Sequence, residues 1–202
     1  TDTKTYDGTT SSSGTPTITS GSLATGDSAS WSPLFNSKHV GTGKTLTASG
    51  SVTDGNSGNN YDVTFVTSTT GVINARTITV TAATNTKTYD GGTSSSGTPT
   101  ITSGSLATGD SVTWSQTFDT KHVGTGKTLT PSGSVSDGNS GNNYSVSFVT
   151  NTTGVITKKN LTVTGVTASD KVYDGYDTAT VNASGAALVG VISPDVVTLD
   201  AS

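Results

Sequence analysis

The 202-residue chain contains no cysteine, no methionine and no glutamate, and only one arginine (Arg76) and one glutamine (Gln116). Without cysteine there is no disulfide to offset a small core, no thiolate nucleophile and no zinc–thiolate site. That absence does not assign a compartment, because small secreted domains are often but not always disulfide-rich. Strong helix formers other than Ala are scarce and never run together, so helix is held to a single turn at most. No apolar stretch approaches the ~20 residues that cross a bilayer, which excludes membrane insertion of this segment by a helix. A signal-peptide pattern is missing too, and with no initiator Met the sequence reads as an internal piece of something longer. Net charge is −4, and the 14 acids, all Asp, are scattered singly, which argues against nucleic acid as a partner.

What remains is a chain dominated by Thr, Ser, Gly, Val and Asn. Thr and Val restrict χ1 and suit a pleated surface. Leu, Ile, Val and Phe number 38 of 202, a thin supply for a core, but the low net charge and ordered alternation favour folding over disorder. Period-2 patterns predict strands at Ala29–Trp31 running on to Phe35, at Tyr61-Val63-Phe65, and at Ile78-Val80, with shorter ones at Thr15–Thr19 and Thr45–Thr47. Asp7-Gly8, Thr25-Gly26-Asp27, Gly41-Thr42-Gly43 and Asp54–Gly58 punctuate them as turns. The pattern predicts an all-β fold: tandem small β-sandwich, immunoglobulin-like modules arranged as an elongated rod.

The strongest regularity is duplication. The run from Lys4 recurs from Lys87 with a period of 83 residues, the distance from Tyr6 to Tyr89. Of the 79 positions from Thr3 to Thr81, 62 are identical in the second copy and 17 differ. A third, partial copy opens at Lys171-Val172-Tyr173-Asp174-Gly175. The expected division is residues 1–75, lacking the first strand of the repeat, then 76–158, then the partial 159–202. Duplication of a whole domain suits a task that scales with copy number, such as reach or avidity, better than it suits an active site.

Each copy carries Lys-x-Tyr-Asp-Gly: Lys4, Tyr6, Asp7, Gly8; Lys87, Tyr89, Asp90, Gly91; and Lys171, Tyr173, Asp174, Gly175. With Gly26-Asp27, Lys38–Lys44, Gly58–Tyr61 and the junction Gly154–Thr164, this ordered set resembles the YDG-type tandem repeats of large, haemagglutinin-like bacterial surface adhesins, over essentially the whole chain. The resemblance implies extracellular, non-enzymatic modules, on a cell surface or secreted, with neighbouring repeats and host-surface or biofilm components as partners. Trp31 and Trp114 depart from the aliphatic residue usual there. From the residues alone, the signature reads as a strand end followed by an Asp-Gly turn. A sharper alternative is an isopeptide bond from Lys4 or Lys87 to Asn60 or Asn143.

Other candidate sites are weak. Asp54, Asn56 and their copies Asp137, Asn139 suggest a calcium loop, but the glycine falls one residue early and the bidentate glutamate has no counterpart. Trp31 and Trp114 are candidate ligand platforms, yet Leu199 aligns with them, which favours a core role. Gly41-Thr42-Gly43-Lys44-Thr45 lacks the first glycine of a phosphate loop. His39 and His122 have no companion for metal or nucleophile chemistry. No catalytic constellation is found and no cofactor is expected. From Gly71 to Thr81 the crossing between copies has no flexible spacer. The chain therefore reads as stalk repeats projecting a distal binding region. The alternatives are that the repeats bind a glycan or protein through many weak sites, or form filaments by sharing strands.

Overall fold

A computed structural model describes residues 1–200, and no helix occurs among them. The protein is all-β, built from open, curled half-barrel sheets. In the first copy, β1 (Thr3–Thr5), β2 (Ser28–Phe35), β3 (Gly41–Thr53) and β4 (Ser68–Asn74) form one sheet in the order β1-β4-β3-β2. The β1–β4 pair is parallel, with Thr3 opposite Val72, and the rest of the sheet is antiparallel. β5 (Arg76–Thr81), β7 (Thr100–Ser103) and β10 (Tyr144–Val149) make a three-stranded sheet in the order β10-β5-β7. β6 (Thr86–Thr88), β8 (Ser111–Phe118), β9 (Gly124–Ser136) and β11 (Asn151–Thr157) repeat the four-stranded pattern as β6-β11-β9-β8. The partial third copy holds two small hairpins, β12 (Thr162–Thr164) with β15 (Ala187–Val189) and β13 (Thr167–Ala168) with β14 (Val181–Asn182).

The short strand expected at Thr45–Thr47 is the middle of the 13-residue β3. Its extension through Ser49-Gly50-Ser51 pairs residue by residue with β2, and Gly50 falls opposite Trp31. A Cβ there would lie 1.9 Å from Ser30 O and 2.9 Å from Trp31 Cε3, on a backbone with φ of 151°. Glycine thus lets the indole lie across the strand, and Gly133 does the same beside Trp114. Pro33 is tolerated because β2 is an edge strand.

The strands expected at Thr15–Thr19 and Tyr61-Val63-Phe65 are in no ladder, although their second-copy counterparts are β7 and β10. The reason is topological. β5 is the central strand of the second copy's three-stranded sheet, bonded to β10 on one side and β7 on the other. Residues 1–81 contain no strand in that place, so neither flank finds a partner.

Two compact units divide the chain: residues 1–81, 99–114 and 132–149 form the first, and 82–98, 115–131 and the chain from Thr150 onward form the second. The core of the first unit draws on both full copies. Tyr6, Phe35, Leu46 and Ile73 of the first copy pack with Ile78, Val80, Ala107, Val135 and Tyr144 of the second. The core of the second unit gathers Ala82, Phe118, Leu129 and Ile156, with Tyr89 against them.

Candidate functional site

The Lys-x-Tyr-Asp-Gly signature is a clip, a turn and a plug. Lys4 Nζ donates to Asp7 Oδ1 at 2.8 Å, to Thr9 O at 2.8 Å and to Ser11 O at 2.9 Å, and lies 5.4 Å from the centre of the Phe35 ring. Asp7 Oδ1 also accepts from the Thr9 amide at 2.8 Å, closing the turn through Gly8. The second copy repeats this, with Lys87 Nζ bonded to Asp90 at 2.7 Å and to Gly92 O at 2.8 Å, over Phe118. In the third, Lys171 bonds Asp174 at 2.9 Å and Tyr176 O at 2.7 Å. Burial raises the Asp7 pKa, but the Lys4 ammonium and the Thr9 amide and hydroxyl outweigh it and hold the carboxyl below its ordinary value. Lys87 and Lys171 are the main causes lowering Asp90 and Asp174.

The plug is the tyrosine. Tyr6 leaves β1 with its amide on Asn74 O and its ring fully buried, 0% exposed, in the core of the first unit. There it meets Tyr144 edge to face, ring centres 5.5 Å apart. Both hydroxyls donate to one carboxylate of the second copy, Tyr6 to Asp110 Oδ1 at 3.4 Å and Tyr144 to Asp110 Oδ2 at 2.6 Å. Burial first, then this carboxylate, pushes both phenols up to about 12. Gly8 seats the turn against the second copy, since a Cβ there would stand 3.3 Å from Ala107 Cβ.

A polar tier surrounds the plug. Val40 N donates to Asn143 Oδ1 at 3.0 Å, and Asn143 Nδ2 lies 3.2 Å from His39 Nδ1. The Arg76 amide bonds Asn143 O at 2.9 Å, while its guanidinium donates to Ser105 O, Ser105 Oγ and, at 3.4 Å, Tyr6 O. Beneath Asn143, the buried Asp137 carboxylate accepts the amides of Asn139, Gly141 and Asn143 at 2.7, 2.8 and 2.9 Å. Burial raises its pKa, but the three amides prevail and the net shift is downward. In the second unit the plug recurs: Tyr89 OH donates to Asp195 Oδ2 at 2.5 Å, and Lys121 Nζ lies 3.5 Å from Asp195 Oδ1. Tyr173, for which the described residues hold no following copy, is 92% exposed. The Tyr6 ring thus lies in a core shared by its own repeat, through Phe35, Leu46 and Ile73, and the next, through Ala107, Val135 and Tyr144.

The YDG domain family model matches residues 1–71, 74–153 and 157–202. The chain belongs to the YDG domain family. No curated protein and no solved structure matches it.

The remaining candidates fall within individual YDG repeats. Asp54 uses its carboxylate as Asp137 does, accepting the Asn56, Gly58 and Asn60 amides at 2.8, 2.8 and 3.0 Å. Asn56 and Asn139 spend their side-chain amides on Asn60 Oδ1 and Asn143 Oδ1. Among the described residues no three of His, Cys, Asp or Glu gather into a metal-sized cluster. Lys4 and Lys87 are bonded within their own turns and Asn143 to Val40, so the pairing an isopeptide bond needs is not formed. Trp31 and Trp114 are half-buried, each edge to face with a phenylalanine, Phe65 at 5.5 Å and Phe148 at 5.7 Å.

Sequence reasoning missed Gln116, Arg76, Asp110 and Asn143 as positioning groups. Gln116 is buried and mimics a strand: Oε1 accepts the Ala83 amide and Nε2 donates to Ala83 O, both at 2.8 Å. Its being the chain's sole glutamine, at a site that is Pro33 in the first repeat, was the available signal.

Proposed function

We propose that these YDG repeats are non-enzymatic extender modules of a bacterial cell-surface or secreted adhesin, holding a distal binding region away from the surface. In this reading the modules are small sandwiches of immunoglobulin-like character strung as a semi-rigid rod. The observation that carries it is the signature tyrosine of one repeat buried in the next, Tyr6 against Tyr144 and Asp110. A tandem array joined by flexible tethers leaves such a residue in solvent. Here the position that names the family is spent on joining copies, which suits a role in which length and stiffness are the product. Thr- and Ser-rich outer faces keep such a stalk solvated and free of large sticky patches. The partners in this reading are neighbouring repeats, with host-surface or biofilm components meeting the distal region.

Small-angle scattering of the chain tests it. The reading expects a monomer whose maximum dimension grows by a constant increment as repeats are added. A compact particle, or the broad distance distribution of beads on a string, contradicts it.

A further inference from the structure

The strands that open the second repeat pair in parallel with those that close it. In the first unit β5 and β10 run parallel along the whole of β5, from Arg76 opposite Tyr144 to Thr81 opposite Val149. The Arg76 amide extends that ladder to Asn143 O at 2.9 Å. In the second unit β6 and β11 run parallel, from Thr86 opposite Val155 to Thr88 opposite Thr157. Val155 N on Asn85 O at 3.0 Å and Tyr89 N on Thr157 O at 2.9 Å lengthen this ladder at both ends. Just before it, Asn151 Nδ2 donates to Ala82 O at 3.1 Å, and the Thr84 and Thr153 hydroxyls are bonded at 2.8 Å. The repeat thus opens with one arm, residues 76–89, and closes with another, residues 143–157, joined in the same sense at nearly constant register. In the first repeat β1 and β4 pair in the same way, Thr3 opposite Val72 and Thr5 opposite Asn74.

Parallel pairing decides how a pull along the chain is felt. Tension draws the opening strand from its N-terminal end and the closing strand from its C-terminal end. In a parallel pair these lie at opposite ends of one ladder, so the strands are sheared past each other and the ladder bonds share the load instead of parting one by one. The strands that receive the load first are central ones: β5 is flanked by β10 and β7, and β11 by β6 and β9. Only Ala75 separates β5 from β4, which is itself flanked by β1 and β3, so tension passes from one central strand directly into the next. Ile78 and Val80 on β5 and Ile156 on β11 are buried in their cores, and a slip of one residue would turn each of them to the wrong face. We propose that the paired arms are a shear clamp, and that bearing tension along the chain is a function of the repeat. The inference goes beyond the stalk reading, which concerns length and stiffness, because a clamp serves any array that is pulled from its ends.

The test is single-molecule stretching of the full chain between pairs of introduced thiols, which its lack of cysteine makes unique attachment points. Handles at Ala75→Cys and Lys158→Cys, just outside β5 and β11, load the arms in shear. Handles at Thr93→Cys and Lys158→Cys lie past the C-terminal ends of β6 and β11 and open that ladder from one end. Handles at Ala75→Cys and Asn142→Cys open β5 and β10 from their N-terminal ends. Each shear handle also serves in an opening pair, so a handle that weakens the fold lowers the force in both directions. The expected result is a mean unfolding force about twofold or more higher in shear than in either opening direction at the same pulling rate, because forced unfolding reports the barrier along the direction pulled. The shear rupture is expected to release residues 76–157 in a single lengthening of roughly 250–300 Å. Equal forces in the three directions overturn the proposal, and so does a shear trace in which the arms part in several small steps at the force of the opening directions.

Discussion

Tyr6→Ala is expected to cost about 4 kcal/mol and to lower the midpoint of thermal unfolding by on the order of 10 °C, the largest effect of any single truncation in the first unit. The substitution removes a fully buried ring, leaves Tyr144 without its edge-to-face partner and opens a cavity beneath Ala107. Tyr6→Phe keeps the ring and loses only a 3.4 Å hydrogen bond, so about 1 kcal/mol or less is expected. Calorimetry of both variants separates the two contributions. Were the tyrosine merely a strand-end residue, the Ala and Phe variants would differ little. The same site sets an alkaline limit. Both phenols ionise in the fold only near 12, above the ordinary value of about 10, so their contribution is complete below pH 10 and is lost as pH rises towards 12.

Asp137→Ala is expected to cost about 3 kcal/mol, because three amide donors at a buried turn lose their common acceptor. Asn143, whose backbone and side chain link the turn to Arg76, Val40 and His39, loses its anchor at the same stroke. Asp54→Ala removes the same three bonds from an exposed turn, with no neighbour docked on Asn60, and is expected to cost clearly less. The pair of variants therefore measures what the junction adds to an identical local motif. The sign with pH is fixed by the downward shift of Asp137. Its contribution is present above the ordinary carboxylate value of about 3.9 and is lost as pH falls through its lower folded value. Acid unfolding of the Asp137→Asn chain is expected to have a shallower pH dependence than that of the parent, and an unchanged profile contradicts the assignment.

Local features of the fold were legible in the residues. The Asp-Gly turn with its lysine, the β2 pattern from Ala29 to Phe35 and the Ile78-Val80 strand are short-range signals set by turn chemistry and side-chain alternation. Pairing was not legible. Tyr61-Val63-Phe65 and Tyr144-Val146-Phe148 carry the same alternation, but only the second lies in a sheet, because alternation records a capacity to pair and not the presence of a neighbour. For the same reason β3 runs well past Thr45–Thr47: glycines weaken the strand pattern, yet Gly50 is required opposite Trp31. The docking of Tyr6 on Asp110 spans 104 residues and joins two copies. A signature read one copy at a time assigns the tyrosine to its own repeat alone, whereas its bond to Asp110 and its ring contact with Tyr144 tie it to the next repeat as well.

The central claim is that each repeat closes over the signature of the one before it. The absence of native thiols allows a direct test, because the chain supplies its own control. Ala107 and Ala24 sit in the same local sequence, Ser-Leu-Ala-Thr-Gly-Asp, but Ala107 is 6% exposed against the preceding repeat's Gly8 while Ala24, without such a neighbour, is exposed. Thiol-labelling rates are measured for Ala107→Cys and Ala24→Cys under native conditions. The account predicts labelling at position 24 close to that of a free peptide thiol, labelling at 107 slower by on the order of 100-fold, and loss of that protection when Tyr6→Ala is added. Equal rates at the two positions, or protection at 107 that survives Tyr6→Ala, would contradict it.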